Sequence, residues 1–317
     1  MKTTARYMNN KPEYSIVIPA FNSKKTLFEL VTRINAIFES KIHSSHEIIF
    51  VDDGSSNLET WSSLKQIAQD YENVQSIRLM RNFGQQSATV CGLQIACGNY
   101  LITMDDDLQH LPEEIPLLIA KKDHDIVIAQ FKKKHHSLSK RMLSRIKSFF
   151  DELILGKPKD IQFSSFRLIG RTTIEGMKPL LSTPYPFLPA IMLFVTKDIV
   201  GVHVNHGARS DGETGYTFFK MLKMFSNLTI SNSSILLRFI GNIGLSISLI
   251  SFLMAFYFMY RKLMNDISII GWTSVIVSIL FIGGLILFSI GVIGEYLIRI
   301  IRGIDNRPNF IVRDHIK

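Results

Sequence analysis

Three consecutive carboxylates, Asp105, Asp106 and Asp107, follow an apolar run in the stretch "LITMDDDLQHLPEE". Like charges this close repel, so their crowding calls for a cation. On an extended strand end, Asp105 and Asp107 point to one side and Asp106 to the other. Two converging carboxylates suit a hard divalent cation with oxygen ligands, Mg2+ or Mn2+. An ion held there can also take two phosphate oxygens of a nucleotide. D-x-D is a short pattern that recurs by chance, and a solvated turn starting the next helix at Pro112 is compatible with the same residues.

A second acidic turn, "VDDGSS", sets Asp52 and Asp53 beside Gly54, which permits a tight turn, and beside Ser55 and Ser56, which can cap the following helix. It reads either as a capping turn or as a nucleotide pocket in which Asp53 accepts bonds from a base or ribose. The pair His203 and His206 in "HVNH" has metal-ligand residue types, but an i, i+3 spacing on a strand sends the two side chains to opposite faces.

These residues need elements to hold them. "YSIVIP", "HEIIFVDD", "VQSIRLM", "NYLITMDD" and "HDIVIAQ" are short β-rich runs. Helical patterns fill the gaps over 23–40, 57–71 and 85–96. Strands alternating with helices predict an α/β layer fold with a mainly parallel sheet. The near-continuous apolar strands predict a sheet covered on both faces. "PAFN", "DDGSS", "RNFG" and "DDDLQ" each follow a strand, and ligands of open α/β sheets bind outside the carboxyl ends of strands. Four polar clusters at four such ends predict one shared site.

The chain has 317 residues, 46% of them hydrophobic, and the apolar residues are concentrated late. Phe239 to Tyr260 and Ile267 to Gly294 contain no charged residue. Each exceeds the roughly 20 helical residues that cross a bilayer core. The expected organisation is a catalytic domain over 1–230, two transmembrane helices within 231–298 (about 239–260 and 269–294), and a basic tail over 299–317. The first fourteen residues lack an apolar signal-peptide core, which predicts a cytoplasmic catalytic domain. Arg299, Arg302, Arg307, Arg313 and Lys317 follow the second span, whereas the connecting loop carries Arg261, Lys262 and Asp266. This bias predicts both termini in the cytoplasm.

The net charge of +9 is better matched to anionic lipid headgroups than to nucleic acid, which is not expected as a partner. "SLSKRMLSRIKSFFDELI" places Leu138, Met142, Ile146, Phe149 and Leu153 on one helical face with Lys140, Arg141, Arg145 and Lys147 elsewhere. That pattern predicts a membrane-surface helix, and 216–228 is a second amphipathic run. Cys91 and Cys97 read as buried small apolar residues, with no disulfide expected. Trp61 and Trp272 read as packing and membrane-interface residues.

Together "VIPAFN", "IIFVDDGSS", "RNFGQQSATVCGL", "MDDDLQHLPEEIP", "SSFRLIGR", "HGARSDGETGYTFFKML" and "IGEYLIRIIRGIDNRPNFIV" resemble the polyprenyl-phosphate glycosyltransferases. These are membrane-anchored members of glycosyltransferase family two with the GT-A fold, a Rossmann-like α/β architecture. "RNFGQQSA" and "DLQHLPEEIP" are similar to transferases of 4-deoxy-4-formamido-arabinose and to bactoprenol glucosyltransferases. The resemblance implies transfer of a sugar from a nucleotide-sugar donor, UDP-linked, to undecaprenyl or another polyprenyl phosphate at the bacterial inner membrane. It implies that Pro19, Phe21, Asn22, Asp53, Asp105 and Asp106 contact the donor and that Asp105 and Asp107 hold the metal. It implies catalytic roles for Asp107, Gln109 and Arg209, contact of Arg167 and Arg209 with the lipid phosphate, and a homo-oligomer, in the form of a tetramer. Two positions depart from the family pattern: Ser23 stands where a glutamate is usual, and Asp106 where a small residue is common. The rival readings are a processive polysaccharide synthase and a non-catalytic membrane scaffold. The first usually carries a Q-x-x-R-W motif, which the sequence lacks, and the second does not need the acidic loop it retains.

Overall fold

The computed structural model of the chain describes residues 11–23, 26–131, 161–183, 186–207 and 308–317, with isolated positions between 246 and 300. Strands and helices alternate as β1 (Tyr14–Ala20), α1 (Leu27–Ile37), β2 (His46–Asp52), α2 (Leu58–Asp70), β3 (Val74–Leu79), α3 (Gln85–Ile95) and β4 (Tyr100–Thr103). A 3-10 turn, Pro112–Glu114, leads into α4 (Ile115–Ile119) and β5 (Ile126–Phe131). Then come β6 (Arg167–Gly170), α5 (Arg171–Leu181), α6 (Leu188–Val195), β7 (Ile199–Val204) and β8 (Val312–Ile316).

The strands form one eight-stranded sheet in the order β7-β5-β6-β4-β1-β2-β3-β8. β1, β2, β3 and β4 run parallel to one another, and β7 runs parallel to β5. β6 is inserted antiparallel between β4 and β5, so the sheet is mixed around a parallel block. β1 is buried along its whole length because both faces are covered. Tyr14, Ile16 and Ile18 pack with α1, α2 and α4 on one face, and Val17 packs with α3, α5 and α6 on the other. This is the period-two alternation of a strand between two helical layers.

The stretch that reads as a basic tail closes the far edge of the sheet. β8 pairs antiparallel with β3, Ile311 O accepts from Met80 N at 2.9 Å, and Asn309 Nδ2 donates to Leu181 O at 2.6 Å. Charged Arg313, Asp314 and Lys317 on this edge discourage further strand pairing.

The chain divides into two compact units, one of residues 1–214 with 306–317 and one of residues 215–305. In the second, helical positions Ile279, Ile282, Ile286, Ile290, Ile293 and Leu297 are all exposed and follow one another at three- or four-residue steps. Among the described residues no helix is long and apolar enough to cross a membrane. The expected span at 239–260, the basic helix at 138–153 and the run at 216–228 lie wholly or mostly outside the described residues, and the expected span at 269–294 is described in part.

Candidate active site

The parallel pairings carry the ends of β1, β2, β3 and β4 to the same side of the sheet, and hydrogen bonds tie the loops that follow. Asn22, in the left-handed region at φ 56°, donates its N–H to Ser55 Oγ at 2.9 Å and accepts from Asn57 N at 3.2 Å. The Asp53 carboxylate accepts from Phe83 N at 2.8 Å and Gly84 N at 2.9 Å. Gln85, at the start of α3, donates from Nε2 to Asp105 Oδ1 at 2.6 Å. The four polar clusters are therefore one assembly. Gly54 makes its tight join possible: its φ is +64°, and a Cβ there would lie 2.3 Å from the backbone carbon of Arg81.

Asp105, Asp106 and Asp107 lie beyond the end of β4, in a loop rather than on an extended strand end. The loop turns at Leu108, which has φ 59°. The three carboxylates accordingly take separate partners instead of alternating. Asp105 Oδ2 accepts from Ser165 Oγ at 2.8 Å, in the loop before β6. Asp106 turns inward, where Ser23 Oγ donates to its carboxylate and Thr26 Oγ1 donates to its carbonyl at 2.6 Å. The Asp107 carboxylate accepts from Gln109 N at 3.1 Å and Gln109 Nε2 at 2.8 Å. The Gln109 carbonyl accepts from Gly207 N at 3.0 Å, so the chain leaving β7 docks on this loop. A Cβ at Gly207 would lie 2.2 Å from Leu108 O. Arg209 lies outside the described residues.

Burial pushes the Asp106 carboxyl up to about 6, against the Ser23 hydrogen bond and with help from the charges of Asp105 and Asp107. Burial also raises Asp53, opposed by the Phe83 and Gly84 N–H groups. Asp105 and Asp107 remain partly exposed. Their chemistry fits a divalent ion: they are hard oxygen donors with lone pairs to spare. Among the described residues no group of three or more His, Cys, Asp or Glu side chains could hold a metal. Mg2+ commonly sits on one or two carboxylates plus substrate phosphates, so two protein ligands are enough.

Several sequence expectations are corrected. Pro19 is buried within β1 and does not line an open pocket, whereas Phe21, one step past the strand, is 47% exposed. Arg167 is 3% exposed: its Nε donates to Thr103 Oγ1 at 3.0 Å, and it contacts Met192 Sδ. As placed, its guanidinium is not offered to a lipid phosphate. Burial lowers its pKa to about 10, and the Asp105 charge opposes that. The α2 cap is Asn57, whose Oδ1 accepts from Glu59 N at 2.9 Å; the Ser55 hydroxyl is taken by Asn22 instead. Cys91 is buried, but Cys97 lies past the end of α3 and is exposed. Trp61 is buried as expected, with the Arg78 guanidinium 5.8 Å from its ring.

Gln85, Ser165 and His110 were not singled out from sequence, and each is fixed on Asp105. The signal for two of them was present, since "RNFGQQ" and "SSFRL" both sit where loops meet the sheet. A separate cleft of about 730 Å3 opens at the opposite end of the sheet, beside Glu13, Lys122, His124 and Arg171. There Lys122 Nζ lies 3.3 Å from Glu13 Oε1 and His124 Nδ1 lies 2.7 Å from Asp198 Oδ1, and the cleft takes no part in this site.

Comparison with known proteins decides the family. Residues 15–175 match the profile of Glycosyl transferase family 2. The chain belongs to that family. It is 31% identical over 312 residues to YkcC of Bacillus subtilis, an uncharacterized glycosyltransferase, covering 96% of this chain and 95% of that one. It is 30% identical over 311 residues to the uncharacterized glycosyltransferase sll0501 of Synechocystis, covering 95% of each. Among solved structures, glucosyl-3-phosphoglycerate synthase from Mycobacterium tuberculosis in complex with UDP is similar with a TM-score of 0.49 at 15% identity, covering 69% of this chain and 78% of that one. The same synthase with Mn2+, UDP and phosphoglyceric acid gives a TM-score of 0.47 at 15% identity, covering 68% of this chain and 74% of that one. The protein is a family 2 glycosyltransferase.

Proposed function

We propose that this glycosyltransferase moves a sugar from a UDP-linked donor to undecaprenyl or another polyprenyl phosphate at the cytoplasmic face of a bacterial inner membrane. The product is a lipid-linked monosaccharide for modification of envelope glycan such as lipopolysaccharide or O-antigen. One observation carries the membrane part of this reading: β8 lies in the catalytic sheet beside β3. A chain that enters a bilayer after Gly207 and re-enters this sheet at Val312 must cross an even number of times. Two apolar segments, 239–260 and 269–294, supply that number. The exposed aliphatic stripe from Ile279 to Ile293 belongs to the second, and acyl chains suit such a face better than water does.

The chemistry follows from the acceptor. A phosphomonoester has its second pKa near 6, roughly, so a lipid phosphate is already anionic at neutral pH. One of its oxygens attacks the anomeric carbon. The bond from that carbon to the nucleoside diphosphate breaks, and its electron pair leaves with the diphosphate. No strong general base is required, so alignment and charge stabilisation are the tasks left to the protein. Asp105 and Asp107 would hold Mg2+ or Mn2+ with the donor diphosphate, and an ion bound there supplies charge for the leaving group. Gln109, fixed by Asp107, presents its amide beside the same loop. Phe21 offers an exposed ring for a base to stack on. Arg209, two residues past the Gly207–Gln109 contact, is assigned to the acceptor phosphate, where a forked donor suits two phosphates held close together.

Mass spectrometry of lipid extracts tests this, after incubation of the membrane-embedded protein with polyprenyl phosphate and a panel of UDP sugars. A polyprenyl-phosphate monosaccharide is expected with one of them. A polymer would instead indicate a processive synthase, and the absence of any lipid product with every sugar would overturn the acceptor.

A further inference from the structure

We propose that His110 is the positioning residue that fixes Asp105 in its working orientation, as an imidazole held in one neutral tautomer. This deepens the reading of Asp105 as a ligand for the metal and diphosphate, and rests on it.

The backbone N–H of Asp105 points at His110 Nδ1 at 2.9 Å. A backbone amide can only donate, so Nδ1 must be the acceptor and the ring proton sits on Nε2. That Nε2–H faces Asp105 Oδ2 at 3.6 Å, too far for a hydrogen bond but close enough to orient the charge. One side chain therefore addresses both the backbone and the carboxylate of the same aspartate.

The ring itself is immobilised. It lies near-parallel to Phe131 and Phe166, with centroids 5.4 and 5.2 Å away, and is 5% exposed. Its backbone forms an antiparallel bridge with His206, beside the Gly207–Gln109 bond. β5, the start of β6 and the exit of β7 thus converge on one imidazole, which passes their rigidity to the acidic loop. The loop needs such a brace, because it turns through Leu108 in the left-handed region, which is unfavourable for a branched apolar residue.

A ring that merely fills space gives the opposite mutational pattern from one that positions Asp105. His110→Phe keeps the stacking and loses the acceptor. His110→Asn loses the ring but keeps an oxygen where Nδ1 stands. The readout is Mn2+ affinity in the presence of UDP, from electron paramagnetic resonance of free Mn2+ over folded, full-length protein in detergent, with Asp105→Asn as the reference. Partners of metal ligands are typically worth about 10- to 100-fold in affinity. His110→Phe is expected to weaken Mn2+ binding by about that factor, and His110→Asn to stay within roughly threefold of wild type. If His110→Phe does not fold, His110→Gln takes its place; its amide reaches past the Asp105 N–H, and the same loss is expected. Wild-type affinity in the Phe or Gln variant, or a loss in Asn that Phe does not share, overturns the positioning role. Wild-type affinity in Asp105→Asn removes Asp105 from the metal site and this inference with it.

Discussion

Ser23 and Asp106 are the two positions that depart from the family's usual pattern, and they touch: the serine hydroxyl donates to the aspartate. Position 106 therefore brings the carboxylate to this contact and position 23 the hydroxyl. Neither departure reveals this alone, because 83 residues separate them and only the approach of the β1 and β4 ends joins them. Asp105 and Asp107 stand out in the sequence for a plainer reason: carboxylates at the end of an apolar strand have few structural uses, and both lie in the loop that follows β4. Arg167 was misread because sequence does not distinguish an arginine beside the site from one beneath it. Burial also sets a titration well away from the site. His46, packed on Phe38 with ring centroids 4.1 Å apart, has its pKa lowered to about 4 by burial. A base depressed in this way gives stability that is present above its unfolded value near 6.5 and is lost as the pH falls through about 4. At pH 5 the loss is at most about 2 kcal/mol, from ~1.4 kcal/mol per unit. His46→Gln should therefore show a smaller drop in Tm between pH 7.5 and pH 5 than wild type does. Equal drops would mean that His46 does not titrate in this way.

At the scale of elements, the first five strands and three helices were readable because apolar runs and 3.6-residue stripes alternate without interruption. The parallel pairing of β1 to β4 was readable from that alternation, but the direction of β6 and β8 was not. β6 and β8 are antiparallel, yet "RLIG" and "VRDHI" carry no mark of direction, and the charges of β8 disguise it as a tail. The first helix is shorter than its apolar pattern, beginning at Leu27 because Ser23 and Thr26 are committed to Asp106. A π turn at Phe38–Ile42 then ends in His43 at φ 52°. The join between the β2 and β3 loops depends on Gly54. A left-handed conformation costs an L-residue roughly 1–2 kcal/mol, before any clash with the Arg81 backbone. Gly54→Ala is expected to lower Tm by several degrees and to weaken UDP binding, because the Arg81–Gly84 loop that Asp53 holds must shift. Unchanged UDP affinity in a folded variant would separate that loop from the nucleotide site.

At the scale of the molecule, β8 returns the C-terminal stretch to the catalytic sheet, so the proposed membrane reading requires the catalytic domain and Lys317 to share one side. Labelling can check this with two native cysteines taken into account. Cys91 is buried, its thiol pushed up to about 12, and should stay silent, whereas exposed Cys97 must first become serine. A cysteine added between Arg261 and Asp266 is expected to react from the periplasm, and one at Lys317 only after the membrane is opened. The reverse pattern would invert the topology. The central claim is that a lipid phosphate accepts the sugar in a site built on the acidic loop. Its most direct test is a two-phase assay with donor labelled in the sugar, comparing polyprenyl phosphate with the matching polyprenol, for wild type and Asp107→Asn. The account predicts that label enters the organic phase only with the phosphate, and that Asp107→Asn, folded as judged by Tm, loses about 100-fold or more of that activity. Equal transfer to the polyprenol, or wild-type transfer by Asp107→Asn, would contradict it.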